Sequence, residues 1–128
     1  MEKQELLLRL SMFENEAKQI QEQAELANQQ IAEFEVLKNS LDKLENEEEK
    51  EFLAALGKGV FIKSEIKDKE LFVNIGNGIV IKKKPEETKK IIERQIGQLE
   101  SLRTELVNGI EKLNSEMQKL IEEAQRQD

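Results

Sequence analysis

Cysteine, histidine, tryptophan and tyrosine are all missing from this chain of 128 residues. Their absence removes several chemistries at once. Without thiols or imidazoles there is no Ser-His-Asp or Cys-His catalytic system, no cysteine or histidine metal site and no disulfide. Paired carboxylates and lysines remain, but none stands in a pocket-forming context, so the chain is expected not to be an enzyme and to carry no catalytic residue, metal ligand or cofactor. Aromatic residues amount to 4% and there is a single proline, Pro85, which excludes a core built on large rings. Long apolar runs are lacking too: Leu6-Leu7-Leu8 is flanked by charged residues and is too short for a signal-peptide core or a bilayer span. The chain is expected to be soluble and cytoplasmic, with no membrane partner.

Charge is abundant instead. Charged residues make up 37% of the chain against a usual quarter, and Glu, Lys, Gln and Leu dominate, the composition of long helices whose polar faces stay in water. A net charge of −7 disfavours binding to nucleic acid through the surface as a whole. The lysine run Lys82-Lys83-Lys84 has no interleaved stacking aromatics, so no nucleic-acid partner is expected there either.

Apolar residues near the N-terminus recur at Leu6, Leu10, Phe13, Ala17, Ile20, Ala24, Ala27, Ile31 and Phe34, alternating by four and three. That spacing is a heptad seam and predicts a coiled-coil helix over residues 2–49, roughly 70 Å long. Past Phe34 the apolar positions shift to Leu37, Leu41 and Leu44, one residue early, which reads as a stammer. A second seam, Ile92, Ile96, Leu99, Arg103, Leu106, Ile110, Leu113, Met117, Leu120 and Ala124, has Arg103 as its only polar member. It predicts a helix over 85–126, about 60 Å long, with Pro85 at the first helical position and Glu86 and Glu87 in the first turn, where acid is favoured. Gly97 and Gly109 inside it each cost about 1 kcal/mol relative to alanine.

Between the seams, over residues 51–84, the period changes to two and the residues become β-branched. Strands are predicted around Phe52 to Leu56, through Val60, Phe61, Ile62 and Ile66, through Leu71, Phe72, Val73 and Ile75, and through Ile79, Val80 and Ile81. Gly57-Lys58-Gly59 and Gly76-Asn77-Gly78 are read as three-residue hairpin loops, and Lys67-Asp68-Lys69-Glu70 as the turn joining two hairpins. Neither glycine pair runs directly into a helix or ends in Gly-Lys-Ser/Thr, so phosphate-loop readings fail.

The resulting fold class is mainly α with a small β insert: one domain over 1–128, an antiparallel two-helix coiled coil with two β-hairpins at one end. Leu71, Val73 and Ile75 fall on one hairpin face and Phe72 on the other, and isolated hairpins are marginal in water. Hairpins of several chains are therefore expected to pack together, with Val60, Phe61, Ile62, Ile66, Leu71, Phe72, Val73, Ile75, Ile79, Val80 and Ile81 as the oligomerisation surface. The acidic run Glu45, Glu47, Glu48, Glu49 and Glu51 and the basic run Lys82, Lys83, Lys84, Lys89 and Lys90 are expected to come near each other, either as attraction favouring this register or as solvated surface.

Helix, two hairpins, helix resembles the prefoldin family, and its alpha class in particular. The residues that carry the resemblance are Leu56-Gly57-Lys58-Gly59-Val60-Phe61-Ile62-Lys63, Ile75-Gly76-Asn77-Gly78-Ile79-Val80-Ile81 and the Pro85-Glu86-Glu87 helix start, while Ala54-Ala55 departs from the β-branched or proline-containing entry the family leads one to expect. The resemblance implies an archaeal-type hexamer of two alpha and four beta subunits, whose hairpins form a β-barrel body carrying coiled-coil tentacles. It also implies that the tentacle tips capture unfolded client proteins and deliver them to a group II chaperonin without nucleotide hydrolysis. Leu7, Leu8 and Met12 lie outside the first seam and Ile121 outside the second, and Leu6, Leu10, Phe13, Met117 and Leu120 become available where the ends fray; together they are the candidate client-binding tip. Seam residues among them serve equally to zip the coil end. The rival reading is a self-assembling coiled-coil scaffold or filament with no client.

Overall fold

A computed structural model describes residues 2–46 and 51–126. Helix α1 spans Lys3–Asn46, strands β1 to β4 span Glu51–Gly57, Val60–Glu65, Leu71–Gly76 and Ile79–Lys83, and helix α2 spans Pro85–Arg126. Glu47, Glu48 and Glu49, the centre of the acidic run and the end of the helix read over 2–49, lie outside the described residues. The chain divides into two compact units, residues 1–33 with 96–128, and residues 34–95.

In the first unit the two helices run antiparallel along the predicted seam. Leu6, Leu10, Phe13, Ala17 and Ile20 are half-buried and Ala24, Ala27 and Ile31 are buried, while the residues between them are exposed. The partner stripe from Ile96 to Ala124 is buried or half-buried at every heptad position, including Arg103, whose Nη1 donates to Asn28 Oδ1 at 3.0 Å. Ile20 Cδ1 lies 3.9 Å from where a Cβ would stand on Gly109, which sets the level of one helix against the other.

In the second unit the seam does not stammer. Leu37 is exposed and Lys38 half-buried, followed by buried Leu41 and half-buried Glu45, so the alternation of four and three continues from Phe34 through Lys38, Leu41 and Glu45. The shift suggested by Leu37 was an effect of reading only apolar residues: polar Lys38 and Glu45 hold seam positions because α2 supplies Glu93 at 3.7 Å and Lys89 at 3.0 Å. Counted backwards from Ile92, the second seam likewise continues through half-buried Lys89 to buried Pro85. Pro85 opens α2 where a missing N–H costs nothing, and both the N–H and the hydroxyl of Thr88 donate to the Lys84 carbonyl.

The strands form two separate antiparallel hairpins, β1 with β2 and β3 with β4. Both loops are one residue shorter than the glycine pairs suggested. Gly57 pairs with Val60 and Gly76 with Ile79, leaving Lys58-Gly59 and Asn77-Gly78 as two-residue turns. Their φ values are 48° and 80°, and 52° and 74°, the doubly left-handed pattern of a type I′ turn, which matches strand twist. Each hairpin also skips a residue just before its turn, Leu56 in the first and Ile75 in the second. The stretches Leu56 to Lys63 and Ile75 to Lys82 are thus a structural repeat, with bulge, turn and returning strand in the same order. The bulge falls at the end of the alternation expected for β3: Leu71 and Val73 are half-buried, and Ile75, the skipped residue, is exposed. Ile66 lies beyond the end of β2, half-buried in the linker.

Candidate functional site

Two apolar surfaces and one polar clasp stand out. The first surface is at the paired ends of α1 and α2 in the first unit. There Leu6, Leu10, Phe13 and Met117 are half-buried and Leu120 is buried, all in the seam. Leu7, Leu8, Met12 and Ile121 point away from it, at 58%, 62%, 62% and 41% exposure. The structure thus separates the tip residues into a zipped row and an outward row. Fully burying one outward leucine or methionine against another chain would be worth roughly 1.5–3 kcal/mol.

The second surface is on the hairpins. Val60, Phe61, Ile62, Phe72, Ile75, Ile79 and Val80 are exposed, whereas Leu71, Val73 and Ile81 are half-buried on the β3–β4 face that lines a groove with Phe34, Leu41 and Ile92. That groove encloses about 570 Å³. Hairpin β1–β2 has no such covered face: Phe61 pairs with Ala55 and Ile62 with Ala54, on opposite sides, and both large side chains are exposed. Phe52, Leu53 and Leu56 of β1 are exposed as well and extend the candidate assembly surface. Their signal in the sequence was the strand around Phe52 to Leu56, weakened by Ala54-Ala55. Ile66, half-buried, lines a second hollow with Leu44 and with Phe52 and Phe72 of that surface.

The clasp is at the neck. Lys89 Nζ lies 2.6 Å from Asp42 Oδ1 and 3.0 Å from Glu45 Oε2. Hydrogen bonds donated to Asp42 and then Glu45 hold its ammonium well above the usual lysine range, against a smaller opposing effect of lost hydration. Lys69, in the linker between the hairpins, donates to the Glu45 carbonyl at 3.1 Å and so occupies one of the open acceptors at the end of α1. Of the basic run, Lys89 meets an acidic-run residue, while Lys82 pairs across its own hairpin with Glu70 at 3.8 Å and stands 5.5 Å over the Phe72 ring. Among the described residues, no group of three or more acidic side chains is placed to hold a metal ion, and no helix is long and apolar enough to cross a membrane.

An antiparallel helical hairpin carrying two bulged β-hairpins defines a class of coiled-coil subunit with an exposed β insert. The family model described as Prefoldin subunit matches residues 13–127, and the chain belongs to the prefoldin family, as an alpha-type subunit. It is 35% identical over 97 residues, 75% of the chain, to prefoldin subunit alpha of Methanobrevibacter smithii. It is 24% identical over 90 residues, 70% of the chain, to prefoldin subunit alpha of Methanosphaera stadtmanae. These matches take in 66% and 65% of the relatives' own lengths, just under two thirds. The fold matches a filamentous PFD of Methanocaldococcus jannaschii, solved by cryo-electron microscopy, with a TM-score of 0.74 and 22% identity over 94% of this chain and 98% of that one.

Proposed function

We propose that the chain is a subunit of a cytoplasmic chaperone that holds non-native proteins without covalent chemistry or nucleotide hydrolysis. The observation that carries this reading is the outward row Leu7, Leu8, Met12 and Ile121, apolar side chains left uncovered at the joined helix ends. A few such contacts per arm are weak and reversible, and several arms acting together hold a client by avidity. Unbranched leucine and methionine side chains adapt to varied client surfaces. Assembly proceeds through the hairpins, whose exposed large side chains are covered in a shared β-barrel body. The expected partners are beta-class prefoldin subunits, in a hexamer of two alpha and four beta chains, with a group II chaperonin receiving the client.

The test is to delete residues 2–10 and 119–128 and to follow both oligomer mass and protection of a denatured client from aggregation. The oligomer persists and protection is lost. Unchanged protection refutes the tip reading, and loss of the oligomer shows that the assembly contacts lie at the termini.

A second reading is a self-assembling scaffold. It is favoured by the filamentous assembly of the M. jannaschii protein that shares the fold. The repeat of bulge and turn in the two hairpins gives each chain two similar sticky elements, and a contact from one hairpin to the other hairpin of the next chain is heterologous, growing into a filament wherever its rotation does not close a ring. Mass measurement of the chain alone and mixed with a beta-class subunit separates the readings: growth without limit alone supports the scaffold, and a closed hexamer on mixing supports the chaperone.

A further inference from the structure

Because cysteine, tryptophan, tyrosine and histidine are all missing, the thioethers of Met1, Met12 and Met117 are the only side chains in the chain that a mild oxidant attacks readily. Met1 lies outside the described residues. The other two belong to opposite helices and come to the same level. Counting equally outward from the Ile20–Gly109 contact, from 20 to 12 on α1 and from 109 to 117 on α2, puts Met12 and Met117 at one level, about 12 Å along the axis. Met12 is 62% exposed on the outward row, and Met117 is half-buried in the seam.

We propose that Met12 and Met117 form an oxidation site through which a peroxide switches off client capture. The proposal rests on reading the outward row as the client-binding surface. In the reaction, a sulfur lone pair attacks one peroxide oxygen. The S–O bond forms as the O–O bond breaks, and the departing hydroxide takes a proton and leaves as water. The sulfur is oxidised by two electrons and the peroxide is reduced. Each product sulfoxide turns a flexible apolar side chain into a polar one, at the level where the tip must present apolar surface. The hairpins contain no methionine, so assembly is untouched. Oxidation at Met12 precedes that at Met117, because the seam shields the second sulfur.

The experiment treats the assembled protein with hydrogen peroxide, maps the sulfoxides by peptide mass, and measures oligomer mass and client protection before and after. Expected are sulfoxide first at Met12 and then at Met117, unchanged oligomer mass, and a fall of roughly tenfold in apparent client affinity, the order of one lost methionine contact. The variant M12L/M117L, which keeps Met1, is compared with itself: its protection after peroxide equals its protection before, whatever the starting level. Untreated protein that never protects a client refutes the tip reading. Given protection in untreated protein, the oxidation switch is overturned if capture survives full oxidation of both methionines. It is overturned equally if M12L/M117L loses capture on treatment, or if oxidation dissociates the oligomer.

Discussion

Lys89 on α2 and Asp42 on α1 stand 2.6 Å apart, and the same ammonium reaches Glu45 at 3.0 Å, Lys89 and Glu45 holding seam positions where a coiled coil ordinarily carries apolar residues. One lysine thus joins the two helices close to where the hairpins emerge. Because the folded state holds Lys89 above its ordinary value, its contribution to stability is fully present below the unfolded lysine value, about 10.4, and is lost as pH rises through the higher folded one. The thermal midpoint of K89M should therefore fall below that of wild type by a constant amount between pH 7 and 10, and the gap should narrow only in stronger alkali. A gap that closes near neutrality would assign the clasp no such role.

Arg103 is the polar member of the second seam between Ile92 and Ala124, and its partner Asn28 is on the facing helix. A polar residue at such a position fixes register at a cost in stability. R103L is expected to raise unfolding stability by about 1 kcal/mol, by burying an aliphatic side chain in the helix seam. N28A, which strands the guanidinium, lowers it by up to about 1 kcal/mol. Thermal melts of the two variants should move in opposite directions.

These two polar contacts mark where the sequence was readable and where it was not. The heptads were legible because burial follows the four-three alternation from Leu6 to Phe34 and from Ile92 to Ala124. At the neck the same rule failed only because Lys38, Glu45 and Lys89 hold seam positions, and charge hid the period that leucine shows elsewhere. Extending the alternation by position alone would have put Lys89 opposite Glu45. Strand positions were legible from β-branched residues, but the bulges at Leu56 and Ile75 were not, since a skipped residue depends on how a type I′ turn closes rather than on composition. Of the candidate tip, apolar identity named the residues. Only the helix pairing separated Leu7, Leu8, Met12 and Ile121 from the zipped row.

Glycine has opposite roles in the two kinds of element. At Gly97 an added Cβ meets nothing within 4 Å, and at Gly109 it meets only Ile20 Cδ1 at 3.9 Å, both in helical backbone. G97A and G109A should each stabilise the chain by about 1 kcal/mol. Gly78, equally open, has φ at 74°, and G78A should destabilise the β3–β4 hairpin by about 1 kcal/mol. Chemical denaturation of the three variants tests the contrast; stabilisation by G78A would overturn the turn assignment.

The hairpins differ in what each leaves uncovered, and this gives different expectations for the same type of substitution. In β3–β4, Val73 and Ile81 pair across the strands on the half-buried face, whereas Val80 is exposed. V73S should therefore weaken the fold of the single chain by about 1–2 kcal/mol through lost burial, while V80S leaves that fold intact and weakens assembly. In β1–β2, Phe61 and Ile62 are both exposed and lie on opposite faces, so F61S and I62S should each reduce assembly without altering the helical signal of the free chain. Solution mass against concentration, with circular dichroism on the same samples, distinguishes the cases. If I62S assembles as well as wild type while F61S does not, only one face of the first hairpin is covered in the oligomer, and the other remains available at the surface of the body.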